Sequence, residues 1–241
     1  MKLVIIAAGK GSRLSKVSDG IPKILVHVFE KPLIDKLLSN CIDVGINNIV
    51  IVTGFNDHII KEHISRIETH VNIEIAFNPE WKLPNGISVL AAKNFIPKNE
   101  DFLISMSDHY YTNSILKIMK NHMNENTIAS VGADYKVNDI HDIDDGMKIE
   151  INKNTKLIEA MSKELTIYNA IDCGIFKCKY EFFNYLEKAK EKNKCSLSDA
   201  CNLLIKKGLM GSVDIQNNSW IDIDTPEDLE ILIGETVRSR T

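Results

Sequence analysis

Residues 3–25 read LVIIAAGKGSRLSKVSDGIPKIL. The first six, Leu3-Val4-Ile5-Ile6-Ala7-Ala8, form a continuous apolar run rich in β-branched side chains, the pattern of a strand covered on both faces. Gly9 and Gly11 follow at once, where the backbone turns and a ligand can approach it closely. Three cations, Lys10, Arg13 and Lys23, lie in or just beyond this loop, the last directly after Pro22. Backbone N–H groups and fixed positive charge gathered in one loop suit a phosphate-bearing ligand. A dinucleotide fold wants a third small residue three positions after Gly11, and Leu14 stands there. A P-loop wants Gly-x-x-x-x-Gly-Lys-Ser/Thr, a run the chain lacks. Two glycines alone could merely turn the chain; Arg13 and Pro22-Lys23 favour a triphosphate site.

Working outward, Pro32 opens a helix whose apolar positions Leu33, Leu37, Leu38, Cys41 and Val44 recur at helical spacing, with Gly45 as its stop. A buried strand over 49–54, a helix over 57–67 and a strand over 71–77 continue a strand–helix alternation, the pattern of a parallel sheet covered by helices. Asn85 is a candidate cap for a helix running through Asn94. The strand 102–106 ends in Ser107-Asp108-His109-Tyr110. An aspartate at the carboxyl end of a central parallel strand lies where open α/β sheets bind ligands, and its hard oxygens suit Mg²⁺. A cap on the following turn is the alternative reading of Asp108; His109 reads as a structural histidine, with a part in positioning substrate as its alternative.

Residues 128–133 predict another buried strand, and the acidic run 139–146 an exposed, solvated hairpin loop without the ligand spacing of an EF-hand. Residues 148–151 and 156–161 predict a hairpin, 182–192 an amphipathic helix, and Ser196 to Asp199 a capping box opening the next helix. In Trp220-Ile221-Asp222-Ile223-Asp224-Thr225-Pro226-Glu227-Asp228, Thr225, Pro226 and Asp228 cap and start a helix. Asp222 and Asp224 alternate as on a strand and project to one face. Two carboxylates so placed repel unless a cation lies near them.

The octapeptide Ala7-Ala8-Gly9-Lys10-Gly11-Ser12-Arg13-Leu14 with Pro22-Lys23 resembles the signature of the sugar nucleotidyltransferase superfamily. The resemblance implies an α/β three-layer sandwich with a mostly parallel mixed central sheet of GT-A or Rossmann-like type. It further implies one domain over residues 1–241, with the nucleotide bound by about 1–110 and the acceptor by about 111–241. Asn78-Pro79-Glu80-Trp81 followed by Asn85-Gly86-Ile87-Ser88 is similar to the base-reading loop of cytidylyltransferases, and Ser107-Asp108-His109-Tyr110 to CTP:inositol-1-phosphate cytidylyltransferases. Asp172-Cys173-Gly174-Ile175-Phe176 resembles the acceptor strand, and Trp-x-Asp-x-Asp the second metal element.

By that resemblance Arg13 and Lys23 are catalytic. Ala7, Ala8, Gly9, Gly11, Ser12, Lys23, Gly86, Ser88 and Asp108 bind the nucleotide. Lys163, Tyr168 and Asp172 bind the acceptor, and Asp108, Asp222 and Asp224 bind Mg²⁺. The implied reaction joins CTP to inositol 1-phosphate with release of pyrophosphate. Alternatives are a phosphocholine or aminoethylphosphonate cytidylyltransferase, a sugar-1-phosphate nucleotidyltransferase, and a nucleotide sensor without turnover. A membrane-embedded alcohol phosphotransferase, fused or separate, would act next, and a homodimer is a candidate assembly.

A net charge of −4, with 29 Lys and Arg against 33 Asp and Glu, supplies no global basic field for nucleic acid. Five scattered cysteines without a Cys-x-x-Cys pair point to reduced thiols in the cytoplasm, not to zinc or disulfides. The N-terminal apolar run is too short for a signal peptide or membrane span.

Overall fold

The computed structural model describes residues 1–11 and 20–238. Strand β1 (Lys2–Ile6) sends Leu3 and Ile5 into one core and Val4 and Ile6 into another. Successive strand side chains point to opposite faces, so a run apolar at every position requires cover on both. Past a 3-10 turn at Lys23–Leu25, a short hairpin of β2 (His27–Val28) and β3 (Lys31–Pro32) leads into α1 (Leu33–Asp43). Helix α1 buries Leu33, Ile34, Leu37, Leu38 and Cys41, and the chain reverses at Gly45 with φ +68°. Then come β4 (Asn48–Thr53), α2 (Asp57–Ser65), β5 (Asn72–Phe77), α3 (Gly86–Ala91), β6 (Phe102–Met106), β7 (His109–Tyr111) and α4 (Asn113–Asn121). The second half adds β8 (Ala129–Asp134), β9 (Lys148–Ile151), β10 (Ile158–Ser162), β11 (Ala170–Cys178), α5 (Phe182–Glu191), α6 (Leu197–Ile205), β12 (Met210–Asp214), β13 (Trp220–Asp222) and α7 (Pro226–Arg238).

Among the described residues the main sheet runs β10-β9-β11-β6-β1-β4-β5, with β8 against β11 and β12 against β8. Strand β11 is antiparallel to β6, β8 and β9, and β10 is antiparallel to β9, while the other neighbours are parallel. Only β10 and β11 therefore run against the rest, which is the mostly parallel mixed sheet that the family resemblance implies. Helices α1, α2, α4 and α7 contribute to the core on one face, and α3, α5 and α6 to the core on the other. Three layers result. Strand β1 lies between β4 and β6, and the carboxyl ends of β1 and β6 open onto the same crevice.

Several local expectations are corrected. Asn85 does not cap a helix through Asn94: its own backbone is helical, α3 stops at Ala91, and a 3-10 turn covers Lys93–Phe95. Its Oδ1 instead accepts from the Leu197 N–H at 2.8 Å, so it ties α3 to the start of α6. The acidic run is not a hairpin. It is a 3-10 turn, Val137–Asp139, followed by turns closed by the Gly146 N–H on the Asp142 carbonyl (3.1 Å), and it forms a wall of the main cleft. Asp224 is not on the strand with Asp222; β13 ends at Asp222, and Asp224 lies in the turn before α7.

Candidate active site

The loop after β1 starts by clamping itself to β4. The Ala7 N–H donates to the Val52 carbonyl (2.9 Å), and the Ala8 carbonyl accepts from the Phe55 N–H (2.9 Å). Ala7 and Ala8 are buried and do not line the cleft, whereas Gly9 and Gly11 do. Gly11 has φ +62°, and a Cβ there would sit 3.0 Å from the Lys23 Cβ. A side chain at Gly11 would be strained and would press on the lysine stem. Ser12 and Arg13 lie outside the described residues.

Lys23 enters the cleft from the 3-10 turn behind Pro22, which is closed by the Leu25 N–H on the Pro22 carbonyl (2.8 Å). Its side chain is 8% exposed, and its Nζ lies 3.0 Å from Asp108 Oδ2, 3.7 Å from Asp222 Oδ1 and in contact with Asp224 Oδ1. Burial alone would lower the ammonium pKa, but the three carboxylates outweigh it and hold it above the ordinary lysine value. Asp108 responds in the opposite sense. Burial works to raise its pKa, and the His109 hydrogen bond and Lys23 charge override this, holding it far below the usual carboxylate range.

The carboxylates meet through strand register. β7 pairs antiparallel with β13, and Asp222 falls directly opposite His109. The Ile223 N–H then donates to the Asp108 carbonyl (2.9 Å), carrying the chain past Asp108 so that Asp224 reaches Lys23. A capping box fixes the turn: Asp228 Oδ2 accepts from the N–H groups of Asp224 (2.9 Å) and Thr225 (2.7 Å). Its own N–H donates to Thr225 Oγ1 at 3.3 Å. Burial pushes the Asp222 pKa up to about 6, against the pull of His109.

Ligand atoms of Asp108, His109 and Asp222 lie within 4.8 Å of one another. Asp222 Oδ1 is buried and, among the described residues, has no hydrogen-bond partner. The Lys23 Nζ, at 3.7 Å, offsets its charge but is too far to hydrogen-bond it, so a coordinating cation would supply the contact this oxygen lacks. The donor set therefore fits a divalent metal held by hard carboxylate oxygens.

A cleft of about 570 Å³ connects these groups, within the range of small-molecule sites. Ser88 lines it on the α3 side, where its Oγ accepts from Asn78 Nδ2 (3.0 Å), beside Trp81 and Leu83. Gly86 lies off the cleft, packed so that a Cβ would fall 2.5 Å from the Cys195 carbonyl oxygen. On the other side stand Lys163, Asp172, Gly174 and the acidic wall of Asp139, Asp142 and Asp145. Lys163 is paired with Asp145 at 2.7 Å. Asp172 Oδ1 accepts from the Gly174 N–H (2.7 Å), and burial pushes its pKa up to about 6. Tyr168 is not brought to the cleft lining; the Lys148 ammonium lies 5.8 Å from its ring centroid.

Sequence reasoning missed three features. His109 is 9% exposed, and its Nδ1 lies 2.8 Å from Asp108 Oδ1; read as a structural residue, it joins the carboxylate cluster. The acidic wall gave no signal, since a charge run reads as solvated loop wherever the fold puts it. Trp220 was visible only as part of a pattern, and the cross-strand pairing that sets it beside His109 has no local signature.

The nucleotidyl transferase family model matches residues 2–235. The bifunctional IPC transferase and DIPP synthase of Aquifex aeolicus is 30% identical over 94% of this chain and 50% of its own length. The bifunctional protein GlmU of Methanococcus maripaludis is 32% identical over 95% of this chain and 53% of its own. The chain thus spans about half the length of the curated relatives it matches. The inositol-1-phosphate CTP transferase from T. maritima superposes with a TM-score of 0.85 at 20% identity, covering 96% of this chain and 94% of that one. At that identity the likeness concerns the fold. With a family match across nearly its whole length, and a lysine and three aspartates gathered at the carboxyl end of its central strands, the chain belongs to the nucleotidyl transferase family.

Proposed function

We propose that this chain transfers the cytidylyl group of CTP to inositol 1-phosphate, giving CDP-inositol and pyrophosphate. The observation that carries the transfer chemistry is the Lys23 ammonium among Asp108, Asp222 and Asp224. Such a site stabilises charge on a transferring phosphoryl group without a covalent intermediate. An oxygen of the acceptor's phosphate attacks the α-phosphorus of CTP in line, and the α–β bridging oxygen leaves with pyrophosphate. Gly9 and Gly11, with Ser12 and Arg13, cradle the triphosphate, and Lys23 neutralises the α-phosphate. Asp108, Asp222 and Asp224 hold Mg²⁺, which supplies Lewis-acid charge to the phosphate oxygens when bound. Ser88 reads the base, and Gly86 supports that loop from behind. Lys163 meets the acceptor's phosphate and Asp172 its hydroxyls, with Tyr168, beside the Lys148 ammonium, as the further acceptor residue. The nucleotide half spans about 1–110 and the acceptor half 111–241.

Support for CTP and inositol 1-phosphate comes from the Aquifex relative, which is named an IPC transferase, and from the fold shared with the T. maritima inositol-1-phosphate CTP transferase. A relative from Sulfurisphaera tokodaii, named a bifunctional sugar-1-phosphate nucleotidylyltransferase/acetyltransferase and 30% identical over 94% of this chain, supports a second reading, transfer of another nucleotide to a sugar 1-phosphate. Among the described residues no helix is long and apolar enough to cross a membrane. The CDP-alcohol product suits a separate or fused membrane phosphotransferase in phospholipid synthesis, with this step in the cytoplasm. The test is pyrophosphate release with Mg²⁺ across four nucleoside triphosphates and a panel of inositol, choline, glucose and glucosamine phosphates. Release confined to CTP with inositol 1-phosphate is expected. Release with UTP and a sugar 1-phosphate would replace this reading by the second.

A further inference from the structure

The two oxygens of Asp108 have different partners. Oδ2 faces the Lys23 ammonium at 3.0 Å, and Oδ1 lies 2.8 Å from His109 Nδ1. An ionised carboxylate only accepts, so Nδ1 must carry the proton in this contact. His109 therefore cannot offer Nδ1 to a metal while the contact stands.

The ring is held from both sides. Trp220 lies parallel to it, with centroids 5.5 Å apart and an interplanar angle of 6°. This is an offset aromatic stack. Beside the ring runs Gly174, with φ +77°, where a Cβ would fall 2.3 Å from His109 Cδ2. A residue with any side chain there would expel the imidazole. The indole is itself anchored: Trp220 Nε1–H donates to Asp134 Oδ2 at 2.9 Å. Asp134 is 2% exposed, and its Oδ1 accepts from the Lys136 N–H (2.9 Å) and Nζ (2.8 Å). Lys136 Nζ also reaches the Gln216 carbonyl (2.9 Å), in the segment leading to β13. Four strands, β8, β13, β7 and β11, thus converge on one imidazole.

We propose that His109 is a positioning residue: it engages Asp108 Oδ1 so that Oδ2 alone is presented to the metal and Lys23, and the Asp134-anchored Trp220 plate holds its ring in place. This rests on the reading of Asp108 as a metal ligand. Orienting partners of metal-bound carboxylates set affinity as well as activity, and their loss typically costs about 10–100-fold.

The test compares His109→Asn, whose Nδ2 stands the same number of bonds from Cβ as Nδ1, with His109→Phe, which keeps a ring but no donor. Mn²⁺ binding is read by electron paramagnetic resonance with CTP present and acceptor absent, and turnover is measured separately. We expect His109→Phe to weaken Mn²⁺ binding and lower kcat by roughly 10–100-fold, with His109→Asn recovering most of both. Trp220→Phe, which loses the bond to Asp134, should fall between them. Equal behaviour of the Asn and Phe variants would overturn the inference. Absence of protein-dependent Mn²⁺ binding in the wild type would overturn the metal reading beneath it. Nitrogen-15 NMR of the metal-free wild type provides a check independent of any variant: His109 Nδ1 is expected to be protonated, and an unprotonated Nδ1 contradicts the proposal.

Discussion

Lys23 is a lysine that nothing but its neighbours makes tolerable. An isolated ammonium at 8% exposure would lose its charge, and three carboxylates as close as these would repel without it. Each therefore stabilises the other's ionised form. Lys23→Ala is expected to lower kcat by about 10²–10³-fold, the scale of losing one group aimed at developing charge. Lys23→Arg should restore little, since a planar guanidinium does not fit the place of a compact ammonium; steady-state kinetics on both variants checks this. Asp172 gives a prediction of opposite kind. Its pKa is raised to about 6 by burial, so the folded chain binds that proton more tightly than the unfolded chain does. Its contribution to stability is then full below the unfolded carboxylate value of about 3.9 and is lost as pH rises through the folded value. Asp172→Asn should raise Tm at pH 8 more than at pH 5, while acceptor turnover falls. Melting curves at both pH values read it, and an equal gain at each would refute the assignment. Lys23 and Asp172 were legible as residues because each sits in a recognisable run. His109 was not, because its significance comes from Asp222 across a strand pair and Gly174 beneath it.

At the level of elements, two connections carry consequences. The acidic turn following the 3-10 segment Val137–Asp139 occupies Lys163 through Asp145, with side chains 45% and 31% exposed. An acceptor phosphate that binds Lys163 must compete with that carboxylate. An exposed pair is worth at most about 1 kcal/mol, which converts to a change of no more than roughly fivefold. Asp145→Asn should therefore lower the acceptor KM by a few-fold and leave the CTP KM unchanged; a matched change in both would assign Asp145 another part. The second connection is Asn85, which serves the Leu197 N–H at the start of α6. Asn85→Ala should cost about 1 kcal/mol, as loss of a helix cap does, and denaturant unfolding measures it. The helices themselves were legible: α1 from its apolar spacing and Gly45, and α6 from its Ser196–Asp199 capping box, which the structure contains. The Asn85 bond was not, since a residue placed before a helix invites the local reading, and here the distant donor won.

For the whole molecule, the order of strands follows from which runs needed two covered faces. β1, β4 and β6 are apolar almost throughout and fill the centre, while β5 and β10, with more polar sequences, lie at the edges. That these runs are strands of a helix-covered parallel sheet could be read from residues 3–8, 49–54 and 102–106. The reversal of β11, and the way β7 and β13 leave the main sheet to form a separate ribbon over the site, could not. Local patterns do not encode register between distant segments, and that ribbon is what unites Asp108 with Asp222 and Asp224. The most direct measurement follows CTP, inositol 1-phosphate and Mg²⁺ with the purified chain by phosphorus-31 NMR. The expected result is loss of the triphosphate and inositol phosphate signals, with appearance of pyrophosphate and a diphosphate diester, abolished in Lys23→Ala. Unchanged spectra under conditions where CTP demonstrably binds would contradict cytidylyl transfer to inositol 1-phosphate by this site.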